Sequence, residues 1–157
     1  MNLFNETTTG NRGFTMMEVI SVLVIIGIIA AVAIMKFSST DSYSVISEAE
    51  ILKNNLRLAQ IRAMGDTSSN TWGITVSGTS YTLTCTGATC PATLPYLPGD
   101  SSVTHQFASG ISATISPNLP INFDNWGSPG AANITITLTG GGQTAYANVT
   151  QNTGFIQ

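Results

Sequence analysis

From Val19 to Met35 the chain is apolar except for Ser21 and Gly27, and counting from Phe14 the run reaches 22 residues with Thr15 and Glu18 as its other interruptions. As a helix rising about 1.5 Å per residue, 22 residues span about 33 Å, the thickness of a hydrocarbon core of about 30 Å. Arg12 stands before the run and Lys36 after it. The Arg on the short leader favours a cytoplasmic N-terminus, and Lys36 opposes it. An ordinary globular core has little use for so long a block, so the segment constrains the rest of the chain.

The remaining sequence changes character twice. Residues 1–13 are polar and threonine-rich, with no apolar period. After a polar patch at Ser38-Ser39-Thr40-Asp41-Ser42, the residues Val45, Ala49, Leu52, Leu56, Ala59 and Ala63 recur at 4-3-4-3-4 spacing, one apolar stripe of a helix. Glu48, Lys53, Asn54, Arg57 and Gln60 fall on its other faces, and Gly65-Asp66 end it. The two helical stretches read as one helix of about fifty residues with a weak point at 38–42.

Beyond Thr67 the period drops to two. Trp72, Ile74 and Val76 alternate with polar residues, Ser77-Gly78-Thr79-Ser80 turns, and Tyr81, Leu83 and Cys85 return. Three prolines mark 91–100 as loop. Val103, His105 and Phe107, then Ile111, Ala113 and Ile115, suggest two further strands, and Ile121 and Phe123 lead into a turn-rich stretch around Trp126. Ile134, Ile136 and Leu138, a turn at Gly140-Gly141-Gly142-Gln143, and Ala145, Ala147 and Val149 form the clearest hairpin. The fold class expected is α+β, a long N-terminal helix packed on a C-terminal antiparallel, β-sandwich-like domain. Its parts are a leader at 1–13, a membrane or filament-core helix at 14–37, an amphipathic helix at 38–65 and a β domain at 66–157.

Charge placement limits function. All five basic residues lie at or before Arg62, and from Thr67 onward the only charges are Asp100 and Asp124. A domain without cations cannot neutralise phosphates, which argues against nucleic-acid binding. Cys85 and Cys90 enclose four residues; in an exported protein they read as a disulfide stapling a loop, and in a reducing compartment as two free thiols. A metal site would need two more ligands, and His105 is the only histidine, so no metal or other cofactor is expected. His105 and Asp124 could be drawn with a serine as a triad, but no nucleophile motif accompanies them. His105 reads as a strand residue, Trp72 and Trp126 as core or turn anchors, and the chain as no enzyme.

Arg12-Gly13-Phe14-Thr15-Met16-Met17-Glu18, followed at once by the apolar run, resembles the signal of type IV prepilins and type II secretion pseudopilins. The resemblance implies cleavage after Gly13 by a prepilin peptidase, N-methylation of Phe14, and a role for Glu18 in pairing with a neighbouring subunit's N-terminal amine to set assembly register. It further implies a single-pass protein of the bacterial inner membrane with its C-terminal domain in the periplasm, later built into a filament with other pilin or pseudopilin subunits by an inner-membrane assembly platform. The family often has a proline where this chain has Met35, so no kink is forced there. The stretch Ile121-Asn122-Phe123-Asp124, Gly127, the strand from Ile134 to Thr139, and Thr153-Gly154-Phe155-Ile156 resemble the GspH/FimT (FimU) minor subunits. Some FimT proteins bind DNA through C-terminal arginines, and this chain ends without any. Two rivals remain: a major pilin, and a secreted β protein whose Ala31-Val32-Ala33 is an ordinary signal-peptidase site, leaving Ile34 first. The mid-chain cysteines tilt toward a minor subunit.

Overall fold

Helical periodicity and strand alternation both appear in the computed structural model, which describes residues 13–37, 40–117 and 120–157, with side chains left aside at 34–43. Residues 1–12 of the leader, Arg12 among them, Ser38 and Ser39 of the polar patch, and the side chains of Met35 and Lys36 lie outside the described residues. The chain forms two compact units, residues 1–39 and 40–157.

The first unit holds α1 (Met16–Phe37). Over Met16–Ala33 its mean hydropathy is 2.6, and none of that window is buried against protein. Over that window apolar side chains are exposed on nearly every side, a pattern shared by the helices of large cores and of membrane spans.

The second unit is built on α2 (Thr40–Gly65) and seven strands. The stripe Val45, Ala49, Leu52, Leu56, Ala59 and Ala63 is buried throughout. Its three alanines let the sheets approach the helix closely while the leucines fill the space between. Strands β1 (Thr71–Ser77), β2 (Ser80–Thr86), β3 (Thr104–Gln106) and β5 (Ile121–Phe123) make an antiparallel sheet in the order β3-β2-β1-β5. Strands β4 (Ser112–Ser116), β6 (Ile134–Gly140) and β7 (Gln143–Val149) make a second, in the order β4-β6-β7. α2 packs on β1 and β5 of one sheet and on β6 and β7 of the other. One core results: Ile74, Tyr81, Leu83, Ile121 and Phe123 from the first sheet, Ile136, Leu138, Ala147 and Val149 from the second, and the α2 stripe. Each fully buried aliphatic or aromatic side chain there contributes about 1.5–3 kcal/mol.

Both expected hairpins close as two-residue turns, with Ser77 opposite Ser80 and Gly140 opposite Gln143. The backbone needs glycine at Gly73, where an added Cβ would stand 1.9 Å from the Ile121 carbonyl oxygen; a side chain there would push β5 off β1. The α+β architecture stands, and two local expectations change. Glu48, assigned to a polar face of α2, is buried, because β3 and the loop after it bring groups that bind its carboxylate. Trp126 is 82% exposed and anchors no core. Its turn is held instead by Asp124, whose carboxylate accepts the Trp126 and Ser128 amides at 2.9 and 2.8 Å. The two strands expected at 103–107 and 111–115 are present as β3 and β4, β3 joining β2 and β4 joining β6.

Candidate assembly segment

The scissile region expected from sequence, Gly13-Phe14, lies outside helix, and both residues are exposed. Gly13 has so much room that an added Cβ would meet nothing within 4 Å. Exposed, non-helical backbone is what a protease can draw into its cleft.

Thr15 follows as the helix cap. Its hydroxyl oxygen accepts the Glu18 amide at 3.3 Å, and its carbonyl accepts the Glu18 and Val19 amides at 3.1 and 3.2 Å. Thr15-Met16-Met17-Glu18 has the spacing of a capping box, a signal the sequence held but which the motif reading passed over. Glu18 therefore sits at the third helical position, where the amide dipoles favour an anion. Phe14, Glu18, Val19, Val22 and Leu23 line one shallow concavity of about 210 Å³ on the helix surface. The acid thus shares a face with the residue that cleavage would make N-terminal. Ser21, the other polar interruption, donates its hydroxyl to the Met17 carbonyl at 2.8 Å and so presents no unpaired donor on the helix surface.

The remaining sequence candidates lie in the second unit. Cys85 and Cys90 form a disulfide with Cα atoms 5.9 Å apart. Buried Asn70 supports that loop, its carbonyl oxygen accepting the Thr89 hydroxyl at 3.1 Å while its amide donates to Asp66 at 3.0 Å. Gly87 is required there, since its Cβ would fall 2.1 Å from the Asn70 oxygen.

His105 and Asp124 are not brought together. The Nε2 atom of His105 lies 2.9 Å from Glu48 on α2, and its Nδ1 lies 2.9 Å from Asp100. Glu48 also accepts the Ala108 amide at 3.1 Å. Burial pushes the imidazole toward neutrality, but hydrogen bonds to Glu48 and then Asp100, with their charges, outweigh it and raise its pKa above the ordinary value. The ring stacks on Tyr81 at 4.9 Å between centroids, and the Tyr81 hydroxyl accepts the Asn55 amide at 2.6 Å. Burial, with Asp100 and Glu48 nearby, lifts the Tyr81 pKa far above its usual value despite that hydrogen bond. This is an ionic clamp between α2 and the strands. Sequence reasoning missed it because the partners are 57 and 5 residues from His105.

The family described as the prokaryotic N-terminal methylation motif matches residues 8–34, the stretch that contains Gly13, Phe14 and Glu18. No curated protein matches the chain. Among solved structures, the type IV minor pilin FimU of Pseudomonas aeruginosa is similar at a TM-score of 0.53 and 17% identity, covering 74% of this chain and 88% of that one. At that identity the likeness is one of fold. The chain thus carries a prokaryotic N-terminal methylation motif at its start, and behind it a fold similar to that of a type IV minor pilin.

Proposed function

We propose that this chain is a minor pilin or pseudopilin, a structural subunit of a type IV pilus or a type II secretion pseudopilus. The observation that carries the reading is α1: a helix long enough to cross a bilayer, apolar on every face, uncovered by the protein's own fold, and interrupted near its start by one acid. Left in water, such a surface would cost about 25 cal/mol for each Å² of apolar area. Lipid removes that cost before assembly, and the equivalent helices of neighbouring subunits would remove it afterwards.

In this reading prepilin peptidase cuts after Gly13, Phe14 is methylated, and the second unit faces the periplasm from a single inner-membrane span. An ionised carboxylate within the bilayer costs about 2.5–3.5 kcal/mol on insertion scales, so Glu18 calls for a partner. The amine of an incoming subunit is the natural one, neutralising both charges and fixing the axial step. The Cys85–Cys90 disulfide fits an exported domain, and its mid-chain position favours a minor subunit over a major one.

Mass spectrometry of the mature protein tests the processing step. The expected N-terminus is methylated Phe14, and Gly13→Val should leave the precursor uncut. A mature chain beginning at Ile34 would instead identify an ordinary secreted protein.

A further inference from the structure

In the second unit a cleft of about 560 Å³ opens between α2, which contributes Arg62, β1, which contributes Trp72, and the loop after β2, which contributes Pro91, Leu94, Pro95 and Tyr96. Three cations of this unit have described side chains. Lys53 is paired with Glu50 at 2.8 Å. Arg57 donates to Asn54 and to the Ile156 carbonyl at 3.0 and 3.2 Å. Arg62 stands apart: its guanidinium carbon lies 5.5 Å from the centre of the Trp72 ring, and its Nε is shut off from solvent with no hydrogen-bond partner. Among the described residues no acid pairs with it. Asp66, one turn further on, is taken up by the Trp72 indole N–H at 2.8 Å and by Asn70 at 3.0 Å.

The shielded Nε cannot meet a ligand, but the two terminal nitrogens of the guanidinium are shaped to receive a planar carboxylate through two parallel hydrogen bonds. The wall facing Arg62 is stiff. Its near end is tied by the Cys85–Cys90 disulfide, with Cys85 directly opposite Trp72 in the β1–β2 ladder. Its far end is anchored by buried Leu97, whose amide donates to the Ser102 carbonyl at 3.0 Å. Tyr96, between these anchors, is 64% exposed, an aromatic surface held out at the cleft. A fixed wall loses little entropy when something settles against it.

We propose that this cleft binds an acidic peptide segment of a partner protein, one carboxylate on Arg62 and a neighbouring apolar side chain against Leu94, Pro95 and Tyr96. The cleft lies wholly in the second unit, and its occupancy can be measured on the purified chain without any filament.

The test uses the full chain in detergent carrying Trp126→Phe, which leaves Trp72 as its one tryptophan and changes only an exposed side chain. The probe is a capped hexapeptide alternating glutamate and leucine; its control replaces each glutamate by glutamine. Titration should give a saturable change in Trp72 fluorescence with the acidic peptide and binding weaker by about tenfold or more with the control, the loss expected for a charge-assisted hydrogen-bonded pair. Arg62→Gln should weaken the acidic peptide to the same degree, Arg62→Lys less, and Tyr96→Ala should weaken both peptides alike. Reducing the disulfide should weaken binding while the circular dichroism of the domain persists. Equal affinity for the two peptides, indifference to Arg62→Gln in a folded variant, or no saturable signal would overturn the proposal. So would tighter, Arg62-dependent binding of duplex DNA, which would assign the cleft to phosphate.

Discussion

α1 and α2 are both aliphatic-rich helices, of 22 and 26 residues, yet they meet opposite environments. In α2 one apolar stripe is wholly buried, while Ile46, Ile61 and Met64 stand exposed among the charged and amide residues of its other faces. In α1 apolar residues surround the axis, and those with described side chains are almost all exposed. The difference shows where each helix finds its partner. The buried stripe of α2 is covered inside its own chain by two sheets, whereas on the proposed function α1 would be covered by lipid or by other subunits. On the proposed function, stability and assembly belong to separate stretches of sequence, and a substitution in one should leave the other's property untouched.

The sharpest way to break that division is Glu18→Ala. Membrane insertion should survive, because the apolar span is unaltered, and processing should largely survive, because Gly13 and Phe14 remain. Incorporation into sheared filaments should fall to background, since the incoming amine would be buried unpaired. Normal incorporation, measured against the amount in the inner membrane, would show that packing of α1 alone sets the register. Glu18→Gln sharpens the result: loss of assembly would point to charge, retention to hydrogen bonding.

The converse change is Phe123→Ala, at a fully buried site of β5. It should cost about 3–5 kcal/mol in denaturant unfolding of the second unit, while membrane insertion through α1 stays at the level of the parent. A loss of insertion would mean that the two units are not separable.

A smaller effect should come from pH. With its folded pKa raised above the unfolded value of about 6.5, His105 contributes its full stabilisation below that pH and loses it as the pH climbs through the raised value. Unfolding midpoints should therefore drop from slightly acid toward alkaline buffer. In His105→Gln this descent should flatten, and an unchanged profile would assign it to other groups. The smallest effect belongs to the paired change Cys85→Ser with Cys90→Ser. Closing so short a loop contributes about 2 kcal/mol at most, so the domain should remain folded with a modestly lower midpoint. Free alkylation of both thiols in periplasmic protein without reductant would show that the bridge does not form there.

What the sequence made legible follows from the range of the forces involved. The apolar span, the α2 stripe and the alternation in β1, β2, β6 and β7 are local patterns, each visible in a window of a few residues. The two tight hairpins are local as well. The division of strands between sheets is not local: β5 pairs with β1 about fifty positions earlier, and no turn residue announces it. Glu48 could not be told from a solvated helix residue, because the histidine that draws it inward lies on another element. Trp126 misled for the opposite reason, since a large aromatic beside Gly127 suggests an anchor while a short aspartate carries the turn. At the N-terminus the motif marked Gly13, Phe14 and Glu18, yet Thr15, which fixes where the acid stands, went unread although it lies between them.

That threonine bears on what proteolysis can and cannot alter. The hydroxyl and carbonyl that begin α1 belong to a residue downstream of the expected cut, and their partners are Glu18 and Val19, further downstream still. Among the described residues, every group that caps the helix on this side lies downstream of the expected cut. Removal of the leader would then leave the shape of the segment as it was and add a single positive charge beside an acid already in place, so that maturation acts as an electrical event on a finished surface.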